Sequence, residues 1–137
     1  MIEVYIDGAS AGDPGKSGAG IFIINNGQVQ RYSIPLGLLN NHEAEFHALI
    51  KALEICLEAN FNNISVRSDS TSVVNAIEKE YTKKEKYKPL LNHALELSLK
   101  FDLFFIKWVP SSMNKTADQL ARKAIHFNEK SGESNEK

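Results

Sequence analysis

The chain has 137 residues, 42% hydrophobic and 24% charged, with a formal net charge of −1. That length suits one domain around one core, and no run approaches the roughly 18 apolar residues of a membrane span. Near-neutral charge excludes a strong global field for polyanions, and the lone Cys56 excludes an internal disulfide or a cysteine-rich zinc site.

The N-terminus opens directly into strand-like alternation without a leader pattern, so a reducing, cytoplasmic location is expected. Ile2, Val4 and Ile6 alternate with Glu3, Tyr5 and Asp7, the period of a strand. Gly8 to Ser17 has the composition of a loop. Residues 18–25 form a second strand, Asn26-Gly27 is a hairpin signal, and a third strand runs from Val29 to Ile34 before Pro35. Asn40-Asn41-His42 leads into a long helix whose inner stripe is Ala48, Leu49, Ala52, Leu53 and Cys56. Ile64, Val66 and Ser68 make a fourth strand, after which Ser70 or Asp69 caps a short helix over Val73 to Ile77. A lysine-rich connection, Lys79 to Lys88, precedes Pro89 and a helix ending near Lys100. Residues 103–109 form a fifth strand in which Phe104, Phe105 and Trp108 are expected to pack. A final helix covers Lys115 to Phe127, and residues 128–137, lacking core-forming side chains, are expected to be disordered. The order predicts one α/β domain over 1–127. Its sheet is five-stranded and mixed, three antiparallel strands then two parallel ones, with helices on both faces.

Each of four acids has an ordinary use. Asp7 precedes Gly8 and would serve a turn; Asp69 would cap a helix; Glu45 and Asp118, in first turns, suit the helix dipole. Glu45 nevertheless shares the inward stripe of Ala48 and Leu49, unlike Glu54 and Glu58. Together the four lie at strand ends and helix starts, which converge on one edge of a parallel-type sheet. Carboxylates gathered there raise one another's pKa unless cations intervene. Oxygen ligands without thiol or clustered histidine select Mg²⁺ or Mn²⁺ over zinc.

The string IDGASAGDPGKSGAG at 6–20 resembles the first motif of the type 1 ribonuclease H family, and NNHEAEFHAL at 40–49 its second. RSDSTSVVNAI at 67–77 and NKTADQLARKA at 114–124 are similar to the third and the last, in the family's order and with one acid each. The resemblance implies a ribonuclease H-like fold in which Asp7, Glu45, Asp69 and Asp118 are catalytic and bind two Mg²⁺ or Mn²⁺ ions. It implies hydrolysis of the RNA strand of an RNA–DNA hybrid, with Asp7 bridging both ions and 5′-phosphate and 3′-hydroxyl products. Glu45 is preferred to Glu43 because it precedes Phe46, as in the family, and faces inward. Gly8, Ala9, Ser10, Gly12, Asp13, Asn41, His42 and Thr71 fall where the family contacts nucleic acid; capping the long helix is an equal use for Asn41. No protein partner is indicated, and a monomer is expected.

Departures from the family thin the expected grip. Asp13 replaces the usual asparagine and His42 a second one, while a histidine before the last acid and a basic protrusion are missing. Lys79 to Lys88, with five lysines against two glutamates, is the nearest substitute for the protrusion. Weak cleavage is therefore expected, favoured by low salt and Mn²⁺. A catalytically inactive nucleic-acid-binding domain is the alternative, and a DNA-directed transposase- or resolvase-type nuclease a more distant one. Ser10 to Ser17 approximates a P-loop, but the strand-like GAGIFII after it contradicts the helix a P-loop needs. His47, His93 and His126 carry no assigned chemistry.

Overall fold

Asn26 and Gly27 take positive φ angles of 51° and 81°, the left-handed pair that a two-residue hairpin requires. They reverse the chain between two long strands. In the computed structural model, which describes residues 1–135 and side chains as far as His126, β1 (Ile2–Ser10) pairs antiparallel with β2 (Gly15–Asn25), and β2 with β3 (Gln28–Leu39). Helix α1 (Asn41–Glu58) then leads to β4 (Asn63–Ser68), parallel to β1. Helices α2 (Thr71–Lys79) and α3 (Lys88–Ser98) precede β5 (Leu103–Trp108), parallel to β4, and α4 (Lys115–Asn135) follows. The order β3-β2-β1-β4-β5 is the expected five-stranded mixed sheet. Among the described residues no helix is long and apolar enough to cross a membrane.

Period two sorts the strands into two faces. Val4, Ile6, Ile21, Ile23, Ile64 and Val66 are buried on one of them. There they join the α1 stripe of Ala48, Leu49, Ala52, Leu53 and Cys56, together with Val73 and Ile77 of α2 and Leu91, Ala94 and Leu97 of α3. The other face receives α4, which packs on β2, β1 and β3. Two glycines allow that approach. A Cβ on Gly20 would collide with the Ala117 carbonyl and the Ala121 amide, and one on Gly18 with Ala121 and Ala124. Gly20→Val should destabilise the fold by about 3 kcal/mol or more and, because Asp118 follows Ala117, displace that acid as well. Thermal melting combined with Mn²⁺ titration checks both effects.

Several elements run further than local pattern indicates. Most of the expected Gly8–Ser17 loop is strand, since Gly8, Ala9 and Ser10 pair with Ala19, Gly18 and Ser17; residues 11–14 form the turn. β3 continues through Pro35 because it is an edge strand, where a missing N–H is tolerated; an irregularity at Ser17/Gly18 accommodates the kink. α4 extends past Phe127 to Asn135, over residues expected to be disordered. Elongating a helix is far easier than nucleating one, and no proline interrupts this stretch. Residues 136–137 of the expected tail lie outside the described residues. Phe104 packs on the core as expected, but Phe105 and Trp108 are 51% and 49% exposed, because β5 is the other edge and Trp108 ends it.

Candidate active site

The β1–β4 ladder ends at the pair Ile6–Ser68, so Asp69 follows the end of β4 beside Asp7, which stays in β1 opposite Gly20 of β2. Ser70 caps α2, its hydroxyl accepting the Val73 N–H at 3.3 Å, which relieves Asp69 of that duty. At α1 the cap is Asn40. Its side chain accepts the Glu43 N–H at 2.8 Å, and the Glu43 carboxylate accepts the Asn40 N–H at 2.9 Å, a reciprocal capping box. Glu43 is therefore occupied at the helix end, and Asn41 does not cap. The Asn41 carbonyl oxygen instead accepts the Ser10 N–H at 3.0 Å, tying α1 to the first hairpin.

Glu45 points inward, and its Oε1 accepts the Gly8 N–H at 2.7 Å. A Cβ on Gly8 would overlap the Ala44 carbonyl and the Glu45 amide, so this glycine is needed for helix α1 to approach β1. On the far side Asn114, only 1% exposed, donates its amide to the Ile6 carbonyl at 2.8 Å. Its own carbonyl accepts the Asp118 N–H at 3.1 Å, starting the helix that carries Asp118.

Carboxylate oxygens of Asp7, Glu45 and Asp69 lie within 4.8 Å of one another. Asp118 lines the same cavity of about 600 Å³, close enough for its charge to bear on Asp7. Burial first, then the charges of Glu45 and Asp69 and the Asp118 contact, push the Asp7 carboxyl up to about 9. Glu45 rises to about 7, burial outweighing the Gly8 N–H bond. Asp69 is also raised by burial, with an opposing hydrogen bond from Asn114. Without cations, then, burial and the neighbouring charges favour the protonated form of Asp7 well above the usual carboxylate range. Such a cluster of hard oxygen donors fits a divalent cation, whose charge removes the repulsion.

Among the described residues, Asp7, Glu45 and Asp69 have no ion-pair partner. Arg122 does bond Asp118, at 3.0 Å. It is an exposed pair one helical turn apart, of a kind worth at most about 1 kcal/mol, too weak to withhold Asp118 from a cation.

The expected nucleic-acid contacts divide between two cavities. Gly8, Ala9, Ser10 and Asn41 line the cleft of the acids. Ser10, Gly12, Asp13, Asn41 and His42 line an adjoining groove of about 650 Å³, completed by Asn40, Lys84, Lys86 and Tyr87. Thr71, exposed at the start of α2, belongs to neither lining. Ser10 is engaged internally, its hydroxyl 2.6 Å from the Gly12 carbonyl oxygen and 2.7 Å from that of Leu39. His42 Nδ1 lies 3.4 Å from the Ser72 hydroxyl. Sequence reasoning missed Asn114, Arg122 and His126 as cleft neighbours. Spacing carries a signal for the last two, since positions 118, 122 and 126 recur every helical turn. The continuous β2 after Gly15 removes the P-loop alternative.

Residues 5–124 match the family described as Reverse transcriptase-like. Over 127 residues the chain is 46% identical to EbsB of Enterococcus faecalis, provisionally named a hydrolase, covering 91% of this chain and 94% of that one. It is 33% identical over 127 residues to ribonuclease HI of Halobacterium salinarum, covering 90% of this chain but only 64% of the relative's length. The chain belongs to the ribonuclease H family. The crystal structure of RNase H1 from Halobacterium salinarum superposes on this ribonuclease H with a TM-score of 0.87 at 31% identity, covering 92% of this chain and 98% of that one. LC11-RNase H1, isolated from compost and crystallised in complex with an RNA/DNA hybrid, gives 0.85 at 27% identity, covering 93% and 99%. By family this ribonuclease H is a hydrolase.

Proposed function

We propose that the chain hydrolyses the RNA strand of RNA–DNA hybrids, with Asp7, Glu45, Asp69 and Asp118 holding two Mg²⁺ or Mn²⁺ ions. The observation that carries this reading is the meeting of acids from β1, α1, the β4–α2 junction and α4 in one cleft, the inner three without cationic partners. Bound ions supply activation of the attacking water and stabilisation of the leaving oxygen. Asp7, 6% exposed and within 4.8 Å of both Glu45 and Asp69, would share them. The Gly8 amide orients Glu45, and the Trp108 indole N–H, donating to the Asp69 carbonyl at 3.1 Å, steadies the backbone that presents Asp69. Asp118, at the mouth, exchanges its Arg122 bond at least cost.

Substrate class is supported by shape. The two cavities share Ser10, Ala11 and Asn41, so a concave track runs from the acids past His42 to Lys84 and Lys86. A duplex whose RNA strand meets the acids would lay its DNA strand along the lysines, with recognition through backbone shape and 2′-hydroxyls. The hybrid held by LC11-RNase H1 supports the same substrate for this chain. Lys84→Ala with Lys86→Ala should lower the log–log salt slope of hybrid binding by about 1.8 and leave the saturated cleavage rate little changed. Asp13 in that groove favours a second reading, a nucleic-acid-binding domain without turnover, because an anion faces phosphate there.

The deciding experiment offers labelled hybrid, duplex DNA and duplex RNA with Mg²⁺ or Mn²⁺ at low and physiological salt. Cleavage confined to the hybrid, stronger with Mn²⁺ and weakened by salt, is expected. No cleavage with either metal at low salt would leave the binding-domain reading.

A further inference from the structure

Directly paired residues on neighbouring strands point to the same face of a sheet, and one such row crosses all five strands. Arg31 of β3 pairs with Phe22 of β2, Phe22 with Tyr5 of β1, Tyr5 with Arg67 of β4, and Arg67 with Lys107 of β5. The row lies on the face opposite the Val4, Ile21 and Val66 core. That is the side of α4, whose close contact is at Gly18 and Gly20. The Arg31 guanidinium stands 5.2 Å from the Phe22 ring centre, that of Arg67 5.5 Å from Tyr5, and the two rings are 6.1 Å apart. Tyr5 and Phe22 also floor a cavity of about 250 Å³ bordered by Ile24, Met113 and Lys115. Phe105, on the same side of β5, is half exposed. The acid of this face, Glu3, is held by Arg67 at 2.8 Å. A chain of net charge −1 thus carries a local shelf of cations and aromatic rings.

We propose that this face binds single-stranded nucleic acid at a place separate from the carboxylate cleft. Aromatic rings and guanidinium planes stack on any base, and flanking cations meet the phosphates of a strand laid across the sheet. The cavity under Met113 is smaller than a drug-sized site and takes one unstacked base. A duplex is a poor fit, because its base faces are already covered by stacking and a flat sheet cannot enter a groove. An acidic peptide would answer the cations but makes less use of paired rings and guanidinium planes on a flat surface.

Anisotropy of a short labelled oligothymidylate, titrated with the full chain in EDTA at low salt, tests the proposal. Arg31→Ala with Lys107→Ala removes two exposed cations outside the core. It should weaken binding at least about tenfold and lower the log–log salt slope by about 1.4, with hybrid affinity within about twofold of wild type. Arg31→Lys with Lys107→Arg, which keeps both charges, should restore most of the phosphate contribution, and saturating hybrid should leave the oligonucleotide bound. Equal binding by wild type and the alanine variant, or none by either, would overturn the proposal. So would parallel loss of hybrid affinity or displacement by hybrid, each of which would make the row part of the cleavage groove. Binding of a labelled acidic peptide without the oligonucleotide would assign the face to a protein partner instead.

Discussion

Asp7→Asn should lower hybrid cleavage by at least about a thousandfold while raising the melting temperature of the metal-free protein at pH 8. The two effects have one cause. Asp7 is 6% exposed and surrounded by Glu45, Asp69 and Asp118, which with burial push it up to about 9. At pH 8 folding must therefore put a proton back on a carboxylate that is ionised in the unfolded chain, and a neutral amide of the same shape removes that cost. The expected gain is about 1–3 kcal/mol, or several degrees in a chain of this length. The amide also forfeits the negative oxygen that cations need, so activity and stability move in opposite directions. A residue kept for packing would lose both together. Cleavage of a labelled hybrid and a melting curve in EDTA, run on the same preparation, separate the cases.

The second large effect couples metal to pH. Asp7 and Glu45 lie at about 9 and about 7 in the folded chain, against ordinary values of 3.8 and 4.5. Between pH 4 and pH 9 the folded state therefore holds protons that the unfolded state has released. By linkage, unfolding free energy falls as pH rises through that window, and the stability from these groups is complete only below the unfolded values. Divalent cations compete with the same protons. Mn²⁺ should barely move the melting temperature at pH 5 and raise it by several degrees at pH 8. In EDTA the wild-type melting temperature should decline across this range, and Asp7→Asn should flatten the decline. A wild-type profile in EDTA that rises towards pH 8 would refute the electrostatic picture of the cleft.

Much of the fold is visible in local patterns. Alternation marks β1, Asn26-Gly27 marks a hairpin, and the three–four spacing of Ala48 to Cys56 marks the buried side of α1, because each depends on neighbours in sequence. The same spacing separates Glu45 from Glu43, and the structure puts Glu43 in the helix cap and Glu45 in the cleft. What local pattern hides depends on distant partners. Gly8 reads as a loop residue yet sits in β1, and nothing local tells that Gly8, Gly18 and Gly20 are small because α1 and α4 press against them. Asn114 gives no sign in sequence of its bond to Ile6. Arg31, Phe22, Tyr5, Arg67 and Lys107 are scattered along the chain, and only the register of five strands aligns them.

Calorimetric titration of Mn²⁺ at pH 7.5, in two buffers of different ionisation enthalpy, probes the shared use of cations by these side chains. Binding should release protons, because the metal takes over the oxygens of Asp7, whose carboxyl is pushed up to about 9, and Asp69→Asn should abolish most of it. Uptake of Mn²⁺ with no proton release, or of undiminished strength in the Asp69 variant, would mean that the cleft is not where this protein keeps its metal.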